Sequence, residues 1–419
     1  MAIAVKAGQI LHDSYGFIID RIQTGGATSL NIPEEKVYEV GNFNAVGTTR
    51  DSPDLSFDLE TFDATTEIES LLTFIDPTTI TPGDMFDLST ACPMDIISPI
   101  KDAWKVYTST HGVVIPYLTL ESSAYRFELR GNHTQRHTLR GDSYFFVDSP
   151  IYEEFDGDGS TTTFAFSNGP AQPYNYAGVT AYALGVSVVD PNRVATRLFL
   201  GDHYSNTADD ITLTDPGLVP TGSTLRIVYG SQGTTMTYPQ LGVTPTTGNV
   251  GGNRVHEDTD FKPAALRGRN VDIYIGTNDA TPVFTRWSSV QSAEVNFSLT
   301  LDKDEEFGNA QYVAQDHDVP EVSGNIVVRP RDVKELWDKV YQVTNVAPGE
   351  VAGPLTSVTL PMEIRLVDPD DGRRLKTLYT PDARFKVPAI EGRVQSKVEP
   401  TFEWTSDGGI LEIYDGARM

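Results

Sequence analysis

Two short stretches crowd carboxylates closely enough to hold a hard cation: Asp156-Gly-Asp158-Gly-Ser160 and Asp368-Pro-Asp370-Asp371-Gly372. Calcium takes several oxygen ligands at once, which closely spaced Asp can supply, but neither stretch continues to the Glu that closes an EF-hand loop. Acidic hairpin turns are the expected reading. His133 and His137 stand four apart, a spacing that joins two metal ligands on a helix. The alternation around them predicts a strand, where they share a face with no Glu general base beside them, so no metal site is expected. Arg140-Gly141-Asp142 matches an adhesion tripeptide but falls at a predicted turn between strands, where Gly and Asp belong. Asn132-His133-Thr134 and Asn296-Phe297-Ser298 fit glycosylation acceptors, a pattern that matters only in a secreted chain.

Cys92 is the single cysteine, which excludes an intramolecular disulfide and Cys-based zinc or iron–sulfur sites. A buried thiol is expected there. The sequence has no nucleophile elbow, phosphate loop or dinucleotide fingerprint. Its many Asp and Glu residues offer no pair that spacing alone assigns to glycoside hydrolysis. The expectation is a protein without catalysis, cofactor or metal.

The elements that carry these residues are mostly strands. Leu55, Phe57 and Leu59 alternate with Asp54, Ser56, Asp58 and Glu60, which predicts a half-buried strand with an acidic face. The rhythm then turns helical, with Ile68, Leu71, Leu72 and Ile75 on one side and Thr65 or Thr66 placed to cap the start. The same order returns downstream at an offset of 267 (55 to 322): Val322, Ile326 and Val328 match Leu55, Leu59 and Thr61, with Gly324 in the place of Phe57. One inserted residue later, Leu336, Val340 and Val343 repeat the helical positions. Each segment is followed by a long alternating strand, a turn and an aromatic-rich strand. Each is preceded by a strand pair, "YGFIIDRIQ" with "KVYEVGNF" in one case and "VDIYIGT" with "SAEVNFSLTL" in the other. Two copies of one mostly β unit with a single helix are therefore expected, over residues 1–150 and 262–419. Residues 151–233 show short strands separated by Gly/Asp/Pro turns, which predicts an inserted small β-sandwich. Residues 234–261, rich in Gly and Thr, read as a linker or assembly loop.

At 419 residues the chain is long enough for two to four domains. Its net charge of −26 is spread along the chain rather than gathered in a tail. So negative a surface disfavours tight binding of nucleic acid or anionic membrane, and DNA beside it would slide. The N-terminal stretch lacks a signal-like apolar core, and nowhere do 18 apolar residues run together. Synthesis and assembly in a cytoplasm are expected.

The blocks "VYEVGNF", "DSPDLSFDLETFD" and "EIESLL" resemble the first half of a tail tube (major tail) protein of long-tailed viruses of bacteria or archaea. "SSVQSAEVNFSLTLDKDEEFGNAQY" with "VPEVSGNIVVRPRDVKELWDKV" resembles the same fold again, and "VPAIEGRVQSKVEPTFEW" resembles that family's late strand. The middle segment is similar to β-sandwich modules inserted in phage structural proteins. The resemblance implies rings of six tube folds, joined edge to edge into an inner barrel and stacked into a conduit for genome DNA. With two folds per chain, it implies a homotrimeric ring of approximate sixfold symmetry. It implies as partners further copies of the chain and tape measure, tail terminator and baseplate proteins, with no membrane and no cofactor. DNA would pass without specific binding along a lumen lined by Asp54, Asp58, Glu60 and Glu321. The place would be a virion tail assembled in a host cytoplasm, with the insertion as outward decoration, which would hinder a contractile sheath and so favours a non-contractile tail. Other readings are a baseplate hub or terminator, a secreted calcium- or glycan-binding β-protein, and a glycosidase with an acidic cleft.

Overall fold

A computed structural model describes residues 22–31, 34–37, 47–50, 53–75 except 63, 79–100, 108–109, 111–232 except 177–178, 236–237, 266–277, 281–304 except 288–289, 314–317, 319–329, 359–369, 372–386 and 400–418. The chain is mostly β, as its alternating patterns predict. The main sheet takes from the first 150 residues β1 (Ile22–Asn31), β2 (Asp54–Thr61), β3 (Met85–Asp87), β4 (Met94–Ile100), β5 (His111–Glu128), β6 (Thr134–Gly141) and β7 (Phe145–Asp148). The insertion follows with β8 (Pro150–Asp156), β9 (Thr163–Ala165), β10 (Gly185–Val189), β11 (Ala195–Arg197), β12 (Tyr204–Asn206), β13 (Asp210–Leu213) and β14 (Thr224–Gly230). The main sheet resumes with β15 (Val271–Ile275), β16 (Thr285–Trp287), β17 (Val290–Ser298), β18 (Glu321–Val328), β19 (Thr359–Val367), β20 (Arg374–Phe385), β21 (Thr401–Ser406) and β22 (Glu412–Asp415).

Hydrogen-bonded neighbours run β1-β2-β6-β5 and then, without interruption, β17-β18-β21-β20. The two halves are wired alike. β2 lies between β1 and β6 as β18 lies between β17 and β21. β5 carries β4 and β7 on its N-terminal part, as β20 carries β19 and β22. Of the expected strand pairs, "YGFIIDRIQ" and "KVYEVGNF" lie outside the described residues except Ile22, Gln23, Lys36 and Val37, and Ile22–Asn31 pairs with β2; Val271–Ile275 pairs with β19 rather than with β17.

Both long strands carry a proline in the same bulge. Pro116 and Tyr117 fall between the pairs Ile115–Ile96 and Leu118–Met94, and Pro381 and Asp382 fall between Thr380–Met362 and Ala383–Leu360. Proline has no N–H to give to a ladder, so a bulge is where a sheet accepts it. The backbone strain there is visible at Tyr117, with φ of 54°.

The Phe57/Gly324 mismatch is settled across the neighbouring strand. Phe57 pairs with Leu139, whereas Gly324 pairs with Trp404, and Phe57, Leu139 and Trp404 are all buried. One large ring per strand pair fills the space, on opposite strands in the two halves. A Cβ on Gly324 would stand 2.7 Å from the Trp404 indole and collide with the Glu294 carbonyl oxygen.

Helix α1 (Glu67–Leu72) buries Ile68, Leu71 and Leu72 in the common core, with Ile75 packed against it. Thr66 occupies the N-cap position, but its hydroxyl donates to Asp415 Oδ1 at 2.7 Å, on the last strand of the second half. The helical repeat at Leu336, Val340 and Val343 lies outside the described residues, as does the Gly/Thr-rich loop except Met236 and Thr237.

One hydrophobic core runs through both halves, from Leu55, Phe57 and Leu59 to Phe402, Trp404 and Ile413. Inside it, Lys376 Nζ meets Glu69 Oε1 at 2.6 Å and Gln135 Oε1 at 2.9 Å, while Tyr125 donates its hydroxyl to Glu69 Oε1 at 2.9 Å. Neither Lys376 nor Glu69 has exposed side-chain surface. The insertion has its own core, between the sheet β8-β14-β10-β11 and the sheet β9-β13-β12. It is fastened to the first half by two buried arginines. Arg226 donates to the Pro93 carbonyl at 3.1 Å and stacks over Phe74 at 4.3 Å, and Arg197 forks onto Asp142 at 2.5 and 3.3 Å.

Three outcomes follow for stability. Gly324→Ala destabilises by more than about 2 kcal/mol, and Trp404→Leu in the same chain does not restore it, because the Glu294 carbonyl is backbone; urea unfolding measures both. Lys376→Met leaves Glu69 buried and uncompensated and costs roughly 3–5 kcal/mol, of which Glu69→Gln in the same chain recovers a part. His137, buried and beside Lys376, has its pKa lowered from 6.5 to about 3, first by burial and then by the lysine charge. The unfolded chain therefore takes up a proton that the folded chain refuses. The stability from the neutral ring is complete above pH 6.5 and is lost as pH falls toward 3. That loss amounts to about 3 kcal/mol at pH 4, and unfolding of His137→Gln should show a correspondingly shallower acid dependence.

Candidate assembly interface

The outward side of β2, β6, β5, β17 and β18 forms one continuous polar face. Across it, Asp58, Thr138, Ser122, Ser298 and Glu321 lie in a single row of cross-strand pairs. Asp54, Asp58 and Glu60 are on this face, as the alternation predicts, but it is not a bare acidic stripe. Asp58 is only 9% exposed and is held by Arg136 at 3.0 Å and by the Thr138 hydroxyl at 2.9 Å. Arg140 lies 3.5 Å from Asp54 and 3.0 Å from Glu121. Glu60 is half-buried and Glu321 exposed, and neither has a cation partner among the described residues. The arginines were legible as residues of the alternating strand 134–141, but one strand's pattern gives no register against another.

The halves join through β5 and β17, from Ser292–Glu128 to Ser298–Ser122. Arg126 crosses this seam to Glu294 at 3.0 Å, and Asn325 on the next strand donates to the same carboxylate at 3.2 Å. With the Arg side chain 64% exposed, this pair is worth under about 1 kcal/mol and sets register more than stability. β1 holds the place in the first half that β17 holds in the second. Its outer edge, where β17 receives β5, has no partner strand among the described residues.

The other candidate residues are taken up by structure. Asp158 accepts from the Thr161 hydroxyl and amide, each at 2.6 Å, and from the Ser160 amide at 2.8 Å, so its turn occupies the carboxylate. These bonds, the Thr161 hydroxyl first, hold it well below the usual carboxylate range. Asp368 and Gly372 close a turn through the Gly372 amide at 3.0 Å, while Asp370 and Asp371 lie outside the described residues. His133 and His137 share the inward face: His133 stacks on Phe127 at 4.9 Å, and His137 Nδ1 lies 2.8 Å from the Ser123 hydroxyl. Among the described residues no group of three or more metal-binding side chains gathers. Asp142 of the Arg-Gly-Asp stretch is buried against Arg197, out of reach of a receptor. Cys92 is buried against the Arg193 carbonyl, and burial pushes its thiol up to about 11. Among the described residues, no helix is long and apolar enough to cross a membrane.

No family model and no curated protein matches the chain. Among solved structures, it is similar to a chain in the cryo-EM structure of the anti-feeding prophage (AFP) baseplate, 6-fold symmetrised. That match has 12% identity and a TM-score of 0.25, over 35% of this chain and 91% of the other. It is also similar to a chain in the tail of an empty GTA particle computed with helical refinement in C6 symmetry. There the identity is 14% and the TM-score 0.21, over 35% of this chain and 97% of the other.

Proposed function

We propose that this chain is a virion structural protein that closes into rings and stacks them into a tail tube, a conduit for genome DNA. The observation that carries the reading is the β5–β17 seam, where two alike-wired halves already join edge to edge, while β1, the counterpart of β17, has no strand on that edge among the described residues. An open edge strand is an association hazard unless it is an assembly device. Joined head to tail by the same contact, chains generate a heterologous ring if the rotation closes. Three chains supply six halves, so the ring is a homotrimer with approximate sixfold symmetry. Tape measure, terminator and baseplate proteins are the partners this role requires, in a tail assembled in a host cytoplasm. The role needs no catalysis and no cofactor.

In this reading the polar face lines the lumen. Interleaved Arg and carboxylates, with the carboxylates in excess, offer passing phosphates no continuous positive track to hold them. Of the four acidic residues, Glu60 and Glu321 have no cation partner among the described residues, whereas Asp54 and Asp58 face arginines.

Negative-stain microscopy of the purified chain tests the assembly: rings or tubes of three chains are expected, and a ring of six chains or a stable monomer contradicts it. Glu60→Lys with Glu321→Lys should leave ring formation intact and slow DNA ejection several-fold, most strongly at low salt; unchanged ejection kinetics would remove the lumen assignment.

A further inference from the structure

Three side chains in the common core hold the parts of an acyl transfer. Lys376 on β20 brings an amine, Gln135 on β6 a carboxamide and Glu69 on α1 a carboxyl group, and all three are fully buried. Lys376 Nζ lies 2.9 Å from Gln135 Oε1 and 2.6 Å from Glu69 Oε1. The carbonyl carbon of Gln135 is thus one bond beyond an atom that the amine already touches. Tyr125 donates to Glu69 Oε1 at 2.9 Å and fixes the carboxyl group beside the amine. Pairing alone does not account for the set. Glu69 Oε2 and Gln135 Nε2 are both buried with no hydrogen-bond partner among the described residues, whereas folded proteins satisfy nearly all such atoms. The first is the spare oxygen of an acid–base group, and the second is the nitrogen that an acyl transfer to the lysine would expel.

We infer that Lys376 and Gln135 are the precursors of an intramolecular isopeptide bond, which the folded chain forms by itself with Glu69 as the general acid–base. Glu69 takes a proton from the Lys376 ammonium across their hydrogen bond. This leaves a neutral amine, the form that carries an electron pair for attack. Burial disfavours both charges of the starting pair, so it favours this transfer. A turn of the Gln135 side chain exchanges the hydrogen bond at Oε1 for approach over the carbonyl face, and the core holds the reacting groups together meanwhile. The amine nitrogen adds to Gln135 Cδ and the carbonyl electrons move onto Oε1. When they return, the Cδ–Nε2 bond breaks, and Nε2 leaves as ammonia with the proton that Glu69 hands it. Glu69 then takes the surplus proton from the Lys376 nitrogen, so an amide and a neutral carboxyl group replace an enclosed ion pair. No oxidant, metal or cofactor enters the balance. The bond joins β6 of the first half to β20 of the second, between positions 241 apart in the chain, and restricts the unfolded chain accordingly. It is independent of the ring assembly proposed above.

Intact-mass spectrometry of the full chain, after prolonged incubation in the folded state, tests the bond. The chain should be lighter than its sequence by one molecule of ammonia. Digestion should yield a branched peptide joining Lys376 to Gln135, with no tryptic cleavage after Lys376. Glu69→Gln should slow the mass loss by about a hundredfold or more, the scale of a lost general acid–base. Should that variant not fold, Lys376→Met with Glu69→Gln, which has no enclosed charge, serves as the folded reference: it should keep its full mass and run more slowly than the cross-linked parent on a denaturing gel. A folded parent of full sequence mass overturns the inference. So does a mass deficit that maps elsewhere, such as to a cyclised Asn168 before Gly169, or a bond that forms as fast in folded Glu69→Gln as in the parent.

Discussion

The structure depends on a charge pair with no water around it. Lys376 and Glu69 come from opposite halves of the chain and meet with no exposed side-chain surface. Two ions taken out of water are stable only if each finds several good partners. Here the lysine also reaches Gln135 on β6, the carboxylate also accepts from Tyr125 on β5, and the lysine lies 5.6 Å from the centre of the Tyr125 ring. The network therefore requires α1, β5, β6 and β20 to be in place together. Hydrophobic burial would let the halves slide or tilt against each other with modest loss, whereas an ion pair this short has one geometry. The Thr66–Asp415 hydrogen bond and the β3–β22 pairing fix the same two bodies a few residues away.

This network also makes the two halves inequivalent. The position in the second half that matches Gln135, by the register linking β6 to β21, is Pro400, whose side chain accepts no hydrogen bond. A contact made by the second half with a further copy therefore cannot reproduce the internal one. The volume exchange at Phe57 and Gly324 has the same effect in the core. Halves wired alike but packed differently in this way would, in the proposed ring, suit alternation, one type of junction within chains and another between them, rather than interchange.

Much of the fold could be read from spacing. The inward set Leu55, Phe57 and Leu59, the helical set Ile68, Leu71 and Leu72, and the downstream match at Val322, Ile326 and Val328 all follow from periods of two and 3.6. The structural weight of Pro116 and Pro381 was not legible, because a proline announces a bulge only once the strand on either side has been assigned. Partners separated by long stretches of chain were also hidden. Asp58 looks like a free surface acid in its own strand and becomes a paired one only when Arg136 is brought into register beside it. Lys376 looks like a surface lysine until β20 is threaded into the core. Its neighbours Arg374 and Thr377 give no sign that a charge there is enclosed.

The insertion is an added body fastened to the first half at a few buried points. It leaves the sheet directly after β7 and returns after β14, whose Gly230 pairs with Pro150. Its fastenings fall on Pro93, Val114, Tyr117 and Asp142, near the start of β4 and the proline bulge of β5, and not on the row from Asp58 to Glu321. Burial pushes the Asp95 carboxyl up, while Arg226 and the Tyr117 amide pull it the other way, so this seam also places polar groups where only a fixed geometry satisfies them. A flexible tether would let the added body swing across the polar face. Two buried arginines, each forked or stacked against the first half, hold it beside the N-terminal part of β5, away from the row from Asp58 to Glu321.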